Sequence, residues 1–248
     1  MTGRSGPSGV VVQIVADAAG AAEVVAGLLD EAVRRPGHRV LGVAAGTSPV
    51  EAYTRLVARR PPVDELHVVL LDEYAGLGED HPASFRRQIR TVLTDPLGLP
   101  PERLHSLDGL DPDPDAACRR FERTLAGLGG VDLQLLGIGR NGHIAFNEPG
   151  SALDSRTRPI TLTASTRAAN ATAFPSVDDV PARALTQGIG TILEARRLVL
   201  LATGPAKADA VALAIDGPVG DAVPASALQR HPDVIVVLDR SAASGLRR

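Results

Sequence analysis

Short apolar runs alternate with amphipathic stretches along most of this chain. The run VVVQIV (10–15) is followed by AAEVVAGLLDEAVRR (21–35) and then by HRVLGV (38–43). Runs of β-branched and aliphatic residues are typical of buried strands, whereas apolar residues spaced three and four apart are typical of helices. Apolar strands separated by helices indicate a mostly parallel sheet with helices on both faces. We therefore predict a Rossmann-like α/β fold.

The same alternation continues to the end of the sequence and predicts one domain from residue 10 to 248. Further strands are predicted at 66–72, 132–138, 160–163, 196–203 and 233–239, and further helices at 49–60, 84–93, 113–128 and 205–215. The start MTGRSGPSG (1–9) is rich in Gly and Ser, which predicts disorder. The segment 149–181, rich in Ser, Thr, Arg and Ala, interrupts the alternation. We expect it to form a lid.

Composition narrows the classes of partner. The net charge is -3 and 2% of the 248 residues are aromatic, which argues against nucleic acid as a partner. No apolar stretch approaches the length of about 20 residues that spans a bilayer, so no membrane partner is expected. The single cysteine, Cys118, cannot form an internal disulfide, and no secretory segment follows Met1. We expect a cytoplasmic protein.

Ligands of open α/β sheets bind beyond the carboxyl ends of the strands, and four loops in such positions carry unusual residues. The first is VAAGTSPVEAY (43–53), in which Gly46, Thr47 and Ser48 precede a helix that opens with Pro49. Its backbone amides and the helix dipole would suit an anion such as phosphate. An ordinary capped turn is the alternative.

The second loop is LLDEYAG (70–76), which places Asp72 and Glu73 at the end of an apolar strand. Adjacent side chains of an extended segment point in opposite directions. One carboxylate can therefore face the cleft while the other binds the scaffold. The alternative is that both cap the next helix.

The third loop is GIGRNGHIAFNEP (137–149), where a glycine-rich turn leads from Asn141 to His143. A histidine among glycines, with Glu148 five residues later, favours a catalytic role over a place in the core. A turn would bring Glu148 to the imidazole ring, where it would hold the tautomer or raise the basicity.

The fourth loop is ATGPAKADA (202–210), which holds Lys207, the one lysine of the chain against 25 arginines. A cation in the first turn of a helix opposes the helix dipole, which suggests a compensating anion. Asp209 could supply part of that compensation instead. Together the four loops suit proton transfer on a small anionic substrate, and no Cys or His spacing suits a metal.

The motifs LDEYAGL, GIGRNGHIAFNEPGSALDSRTR, TLTASTRAAN and VPARALTQGIGTIL occur in this order. In them the chain resembles the glucosamine-6-phosphate deaminase family, which shares its fold with 6-phosphogluconolactonase and ribose-5-phosphate isomerase. The ending FNEP favours the deaminase branch over the lactonases. The resemblance covers nearly the whole chain.

This resemblance implies conversion of glucosamine 6-phosphate and water to fructose 6-phosphate and ammonia, without metal or organic cofactor. It implies that His143 moves the proton that opens the sugar ring, that Glu148 and Asn141 orient His143, and that Asp72 moves a proton from C2 to C1. Gly46, Thr47, Ser48 and Lys207 would bind the phosphate. The protein would be a monomer or a homo-oligomer.

The sequence departs from the family pattern at Thr172, where many members have an arginine that helps to bind the phosphate. Arg167, Arg158 or Arg183 would then compensate, or the preferred sugar would differ. Three alternatives therefore stay open. They are a deaminase for another amino sugar such as galactosamine 6-phosphate, a 6-phosphogluconolactonase, and a non-catalytic sensor of sugar phosphates.

Overall fold

The computed structural model describes residues 2–5, 9–37 and 39–247. The strands within these residues are β1 (Thr2–Ser5), β2 (Val10–Val15), β3 (Val40–Val43), β4 (His67–Leu70), β5 (Asp72–Tyr74), β6 (Leu104–His105), β7 (Leu133–Leu136), β8 (Arg158–Thr161), β9 (Arg183–Thr186), β10 (Arg197–Ala202) and β11 (Val234–Asp239). The helices are α1 (Ala18–Arg34), α2 (Val50–Ala58), α3 (Phe85–Ile89), α4 (Asp95–Leu97), α5 (Pro114–Gly127), α6 (Ala164–Asn170), α7 (Ile189–Leu193) and α8 (Ala208–Asp216).

The main sheet of the described residues has the strand order β1-β2-β11-β10-β7-β3-β4-β6. All neighbouring strands are parallel except β1 and β2. One face packs against α1, α2 and α3, and the other packs against α5, α7 and α8, so the sheet separates two apolar cores. This arrangement confirms the predicted parallel sheet covered on both faces. None of the described helices is long and apolar enough to cross a membrane.

The predicted strand 66–72 is interrupted after Leu70. Gln187 donates from its backbone amide to the Leu71 carbonyl at 2.7 Å and from its side chain to the Leu70 carbonyl at 2.8 Å. These bonds end β4, and the chain continues into β5, which belongs to a second, antiparallel sheet with the order β5-β9-β8. The turn places Asp72 directly beyond the end of β4.

Two predictions concern segments outside the regular alternation. Within 1–9, where the sequence predicts disorder, residues 2–5 form β1 and pair antiparallel with β2, while residues 1 and 6–8 lie outside the described residues. The segment 149–181 contains β8 and α6. Its movement as a lid stays a prediction.

The strand order reverses between β3 and β7. From β3 the chain proceeds through β4 to β6, whereas from β7 it proceeds to β10 and β11 on the other side. At this junction Gly42 pairs with Gln134, whose side chain is fully buried. A Cβ atom on Gly42 would lie 2.0 Å from the Gln134 Oε1 atom. Glycine is therefore required for the two strands to pack around this amide.

We expect Gly42→Ala to lower the free energy of unfolding by about 1–3 kcal/mol, because the added methyl group overpacks a buried site. Gln134→Ala in the same chain should relieve the clash, so the double variant should lose less stability than the two single variants summed. Chemical denaturation followed by circular dichroism measures these values.

Gly127→Ala is the matched control, because no atom lies within 4 Å of the Cβ position at Gly127. Alanine there should leave stability unchanged or slightly higher. Equal losses at Gly42 and Gly127, or strict additivity at Gly42 and Gln134, would contradict the packing argument.

Candidate active site

The carboxyl ends of β3, β4, β7 and β10 surround a cavity of about 680 Å³. Most of its lining residues come from the segments 44–49, 71–72, 136–146, 165–170 and 201–207. Seven of the eight predicted site residues line it, and the eighth, Glu148, stands behind His143. The cavity opens where the strand order reverses, which is where ligands of open α/β sheets bind. Its size suits a small molecule.

The loop after β3 is held at two points. The Tyr53 hydroxyl donates to the Ala44 carbonyl at 2.8 Å and accepts from the Ala44 amide at 3.1 Å. The Gln88 side chain accepts from the Gly46 amide at 3.0 Å and donates to the Gly46 carbonyl at 2.8 Å. The backbone amides of Thr47 and Ser48 have no partner within the described residues. They remain available to an anion in the cavity.

Lys207 follows β10 and precedes α8. Its Nζ atom donates to the Ile138 carbonyl at 2.7 Å, which leaves two of its three N–H bonds for a ligand. Burial lowers the pKa of Lys207, and the positive charge of Arg140 lowers it further. An anion in the cavity would counteract both effects and favour the charged form of Lys207.

Asp72 lies at the cavity wall beyond β4 and is 8% exposed. Within the described residues its carboxyl oxygens accept no hydrogen bond, so they are free to act on a ligand. Burial, aided by the neighbouring charge of Glu73, raises the pKa of Asp72 to about 8. A carboxyl group with a pKa near neutrality can both take up and release a proton.

Glu73 points away from the cavity and binds the start of α3. Its carboxylate accepts the Ser84 hydroxyl at 2.7 Å and the backbone amides of Phe85 and Arg86 at 3.2 and 3.0 Å. Burial raises the pKa of Glu73, and these hydrogen bonds counteract the rise. The two adjacent acids thus have separate tasks, as their alternation along the strand predicts.

A chain of hydrogen bonds orients His143. Thr166 donates its hydroxyl to Glu148, and the Asn141 side chain donates to Glu148 at 2.6 Å. Because a carboxylate only accepts, the Asn141 amide must turn its oxygen to His143, where Oδ1 lies 2.7 Å from Nδ1. The proton of a neutral His143 therefore sits on Nδ1, and Nε2 carries the lone pair.

Glu148 lies near the imidazole ring, where the sequence predicts it, and Asn141 forms hydrogen bonds to both groups. The Glu148 carboxylate lies 3.7 Å from Nδ1 of His143. Burial lowers the pKa of His143, the charge of Glu148 raises it, and Lys207 lowers it. The net effect is a lowered pKa, which favours the neutral ring.

The ring of His143 packs directly on the backbone of Gly139. A Cβ atom at Gly139 would lie 2.1–2.4 Å from the ring atoms. Any side chain there would displace the imidazole, so the glycine of this turn is required by the histidine.

Three residues of the site carried no signal recognised in the sequence. They are Gln88, which forms hydrogen bonds to Gly46 in the loop after β3; Thr166, which binds Glu148; and Arg140, which lines the cavity. Gln88 and Thr166 lie in helices far along the chain from their partners. Only the tertiary structure brings them together.

Thr172, where the sequence departs from the family pattern, lies outside the cavity lining. Thr172 is exposed in the turn Ala171–Ala173. Arg158 donates to Asn147 at 2.9 Å, and Arg167 donates to the Val180 carbonyl at 3.1 Å. Neither guanidinium lines the cavity.

The comparisons with known proteins agree with this geometry. The family described as glucosamine-6-phosphate isomerases/6-phosphogluconolactonase matches residues 15–236. The glucosamine-6-phosphate deaminase of Streptomyces coelicolor is 49% identical over 241 residues, which cover 95% of this chain and 92% of that protein. The deaminase of Rhodopirellula baltica is 47% identical and covers 95% of each chain.

Solved structures give the same result. A monomeric glucosamine-6-phosphate deaminase has a TM-score of 0.92 at 40% identity, with 94% of this chain and 99% of that chain covered. The 6-phosphogluconolactonase of Thermotoga maritima, at 20% identity, shares the fold with a TM-score of 0.74 over 93% of this chain and 100% of that one. The chain therefore belongs to the family of glucosamine-6-phosphate isomerases and 6-phosphogluconolactonases.

Proposed function

We propose that the protein is a glucosamine-6-phosphate deaminase, which converts glucosamine 6-phosphate and water to fructose 6-phosphate and ammonia. One observation carries the proposal. A carboxyl group without a partner, Asp72, shares one cavity with an oriented neutral histidine and with the open amides of the Thr47 and Ser48 loop. The relatives at 47–49% identity that are deaminases support the same reaction.

The phosphate group is bound by the amides of Thr47 and Ser48 and by the ammonium group of Lys207. Charge-assisted hydrogen bonds of this kind fix the sugar by its far end. The reacting carbons then lie between His143 and Asp72, which follow different strands.

His143 opens the sugar ring. The bond between C1 and the ring oxygen breaks, the ring oxygen gains a proton, and the C1 hydroxyl loses one. A neutral imidazole with its lone pair on Nε2 can accept one proton and deliver it to the other oxygen. The amide of Asn141 keeps Nδ1 protonated during this exchange.

Asp72 then acts on the open-chain sugar. Its carboxylate removes the C2 proton, which is acidic beside the C1 aldehyde, while the C1 oxygen takes a proton from the amino group at C2 and becomes a hydroxyl. The same carboxyl group then delivers its proton to C1. The product is an imine at C2. Water adds to the imine carbon, ammonia leaves, and the ketone of fructose 6-phosphate remains.

Ammonia release from glucosamine 6-phosphate tests the proposal. Galactosamine 6-phosphate and unphosphorylated glucosamine serve as comparison substrates, and hydrolysis of 6-phosphogluconolactone is followed separately. Release confined to glucosamine 6-phosphate supports the proposal. Turnover of the lactone or of the other epimer alone contradicts it, and binding without any turnover indicates a sensor.

We expect Asp72→Asn to lower kcat by about 10²–10⁴-fold, since the amide cannot accept the C2 proton. For the unaltered protein, kcat/KM should rise with pH up to about 8, because the raised pKa of Asp72 means that the basic form is complete only above that value. Substrate affinity of the inactive variant over the same pH range corrects for titration of the sugar itself. A flat profile between pH 6 and 8 would contradict this role of Asp72.

The same substitution should raise stability. Between the ordinary pKa of 3.8 and about 8, the folded protein keeps the Asp72 proton while the unfolded chain has lost it. Unfolding then releases a proton, so rising pH destabilises the unaltered protein by up to about 1.4 kcal/mol per pH unit. Asp72→Asn should remove this loss of stability. The free energy of unfolding of the variant should therefore exceed that of the unaltered protein by an amount that grows from pH 5 to 8.

Asp239→Asn is the matched control, because Asp239 is also 8% exposed but accepts hydrogen bonds from Gly204 and Ala242. That variant should be destabilised. Thermal unfolding at several pH values measures the stability of both variants. A stability gain for Asp72→Asn that does not vary with pH would refute the titration argument.

Gln88 should act on binding through Gly46 without touching the substrate. We expect Gln88→Leu to raise KM for glucosamine 6-phosphate about tenfold with kcat within threefold, because the phosphate loop loses both hydrogen bonds at Gly46. Steady-state kinetics measure both constants. Loss of kcat with unchanged KM would show that Gln88 serves the chemical step instead.

A further inference from the structure

Arg140 stands at the cavity without a partner for its charge. It follows β7 in the turn that leads to His143, and it lines the same cavity as Lys207 and Ser48. Arg140 is exposed, and within the described residues its guanidinium forms no ion pair and donates no hydrogen bond. Most arginines near the site are engaged elsewhere, as Arg158 and Arg167 are. Arg140 is therefore a free cation at the cavity.

Arg140 and Lys207 approach the cavity from neighbouring strands. Arg140 follows β7 and Lys207 follows β10, and the Lys207 ammonium is anchored on the Ile138 carbonyl, two residues before Arg140. The two charges are close enough for Arg140 to lower the pKa of Lys207. Two like charges on adjacent strands cost free energy unless an anion lies between them.

The described cavity lining contains no acidic residue from the loops after β7 and β10. Among the described residues that line the cavity, Asp72 is the acidic one, and it follows β4 on the far side of β3. The open amides of Thr47 and Ser48 follow β3, which pairs with β7. The loops after β3, β7 and β10 thus bring the amides and the two cations to the cavity, and the carboxyl group enters it from the loop after β4, on the other side of β3.

We propose that Arg140 is a second cationic ligand of the substrate phosphate, opposite the amides of Thr47 and Ser48 and beside Lys207. This inference rests on the proposed function, because it assigns the phosphate of the sugar to the part of the cavity that these loops line. A guanidinium can donate two parallel hydrogen bonds to one phosphate, which an ammonium group cannot do. Arg140 thereby supplies the charge that Thr172 lacks, and it selects phosphorylated over unphosphorylated sugar.

Arg140→Met tests the proposal, since methionine keeps an unbranched side chain and removes the charge. We expect KM for glucosamine 6-phosphate to rise about 10- to 100-fold with kcat within threefold. Arg140→Lys should recover part of the loss, because it restores a single charge without the planar fork. Arg123→Met, which removes an exposed arginine of α5 outside the cavity lining, is the matched control and should leave both constants unchanged.

Inorganic phosphate gives a readout that does not require turnover. Its dissociation constant, measured by calorimetry with the unaltered protein, should increase about 10-fold or more in Arg140→Met and stay the same in Arg123→Met. Weaker phosphate binding in Arg140→Met supports the ligand role even if no ammonia is released, in which case the proposed function alone fails.

Two results would overturn the proposal. One is a KM and a phosphate dissociation constant that stay within twofold in Arg140→Met. The other is an equal change in Arg123→Met, which would indicate a general effect of net charge. If Arg183→Met raises KM while Arg140→Met does not, the second cation is Arg183 and the assignment to Arg140 is wrong.

Discussion

The parallel pairing of β3 with β7 is the contact on which the whole site depends. The two strands lie side by side, but the chain leaves them toward opposite sides of the sheet, so their following loops diverge and leave a crevice. One loop brings the open amides of Thr47 and Ser48, and the other brings His143. The pairing is possible because Gly42 leaves room for the buried side chain of Gln134. A glycine in the core thus allows the strand pairing from which the two loops diverge.

The acid pair beyond β4 shows how one dipeptide can serve both structure and chemistry. The Glu73 carboxylate accepts hydrogen bonds from the Ser84 hydroxyl and from the amides at the start of α3, and that helix holds Gln88 against Gly46 in the loop after β3. Asp72 accepts no such hydrogen bonds within the described residues, and burial raises its pKa. Burial without a hydrogen-bond partner thus disfavours the charged form of Asp72, whereas the hydrogen bonds of Glu73 counteract the same effect at the neighbouring position.

The sequence was sufficient for the parts of the fold that leave a continuous local pattern. The apolar runs of β2, β7, β10 and β11 were visible, and so were the polar loops that follow the strands. The sequence does not predict β6 or β9, because neither Leu104–His105 nor Arg183–Thr186 contains an apolar run like that of β7, and both strands are defined by their pairing. The contact between Gln88 and Gly46, 42 residues apart, leaves no trace in either segment. Arg140 lies in the motif GIGRNGH, but the binding role proposed for it depends on Lys207, which follows another strand.

β2 pairs in parallel with β11, although the two strands lie far apart in the sequence. Val10 lies opposite Val234, and the ladder continues to Val15 and Asp239. During synthesis β2 therefore emerges long before its parallel partner exists, and this pairing cannot form until β11 has left the ribosome. Contacts between such distant segments slow folding, because a long loop must be ordered before they form. One side of β2 therefore has no strand partner until β11 has been made, while β1 can pair with its other side, and an unpaired strand side of this kind favours aggregation.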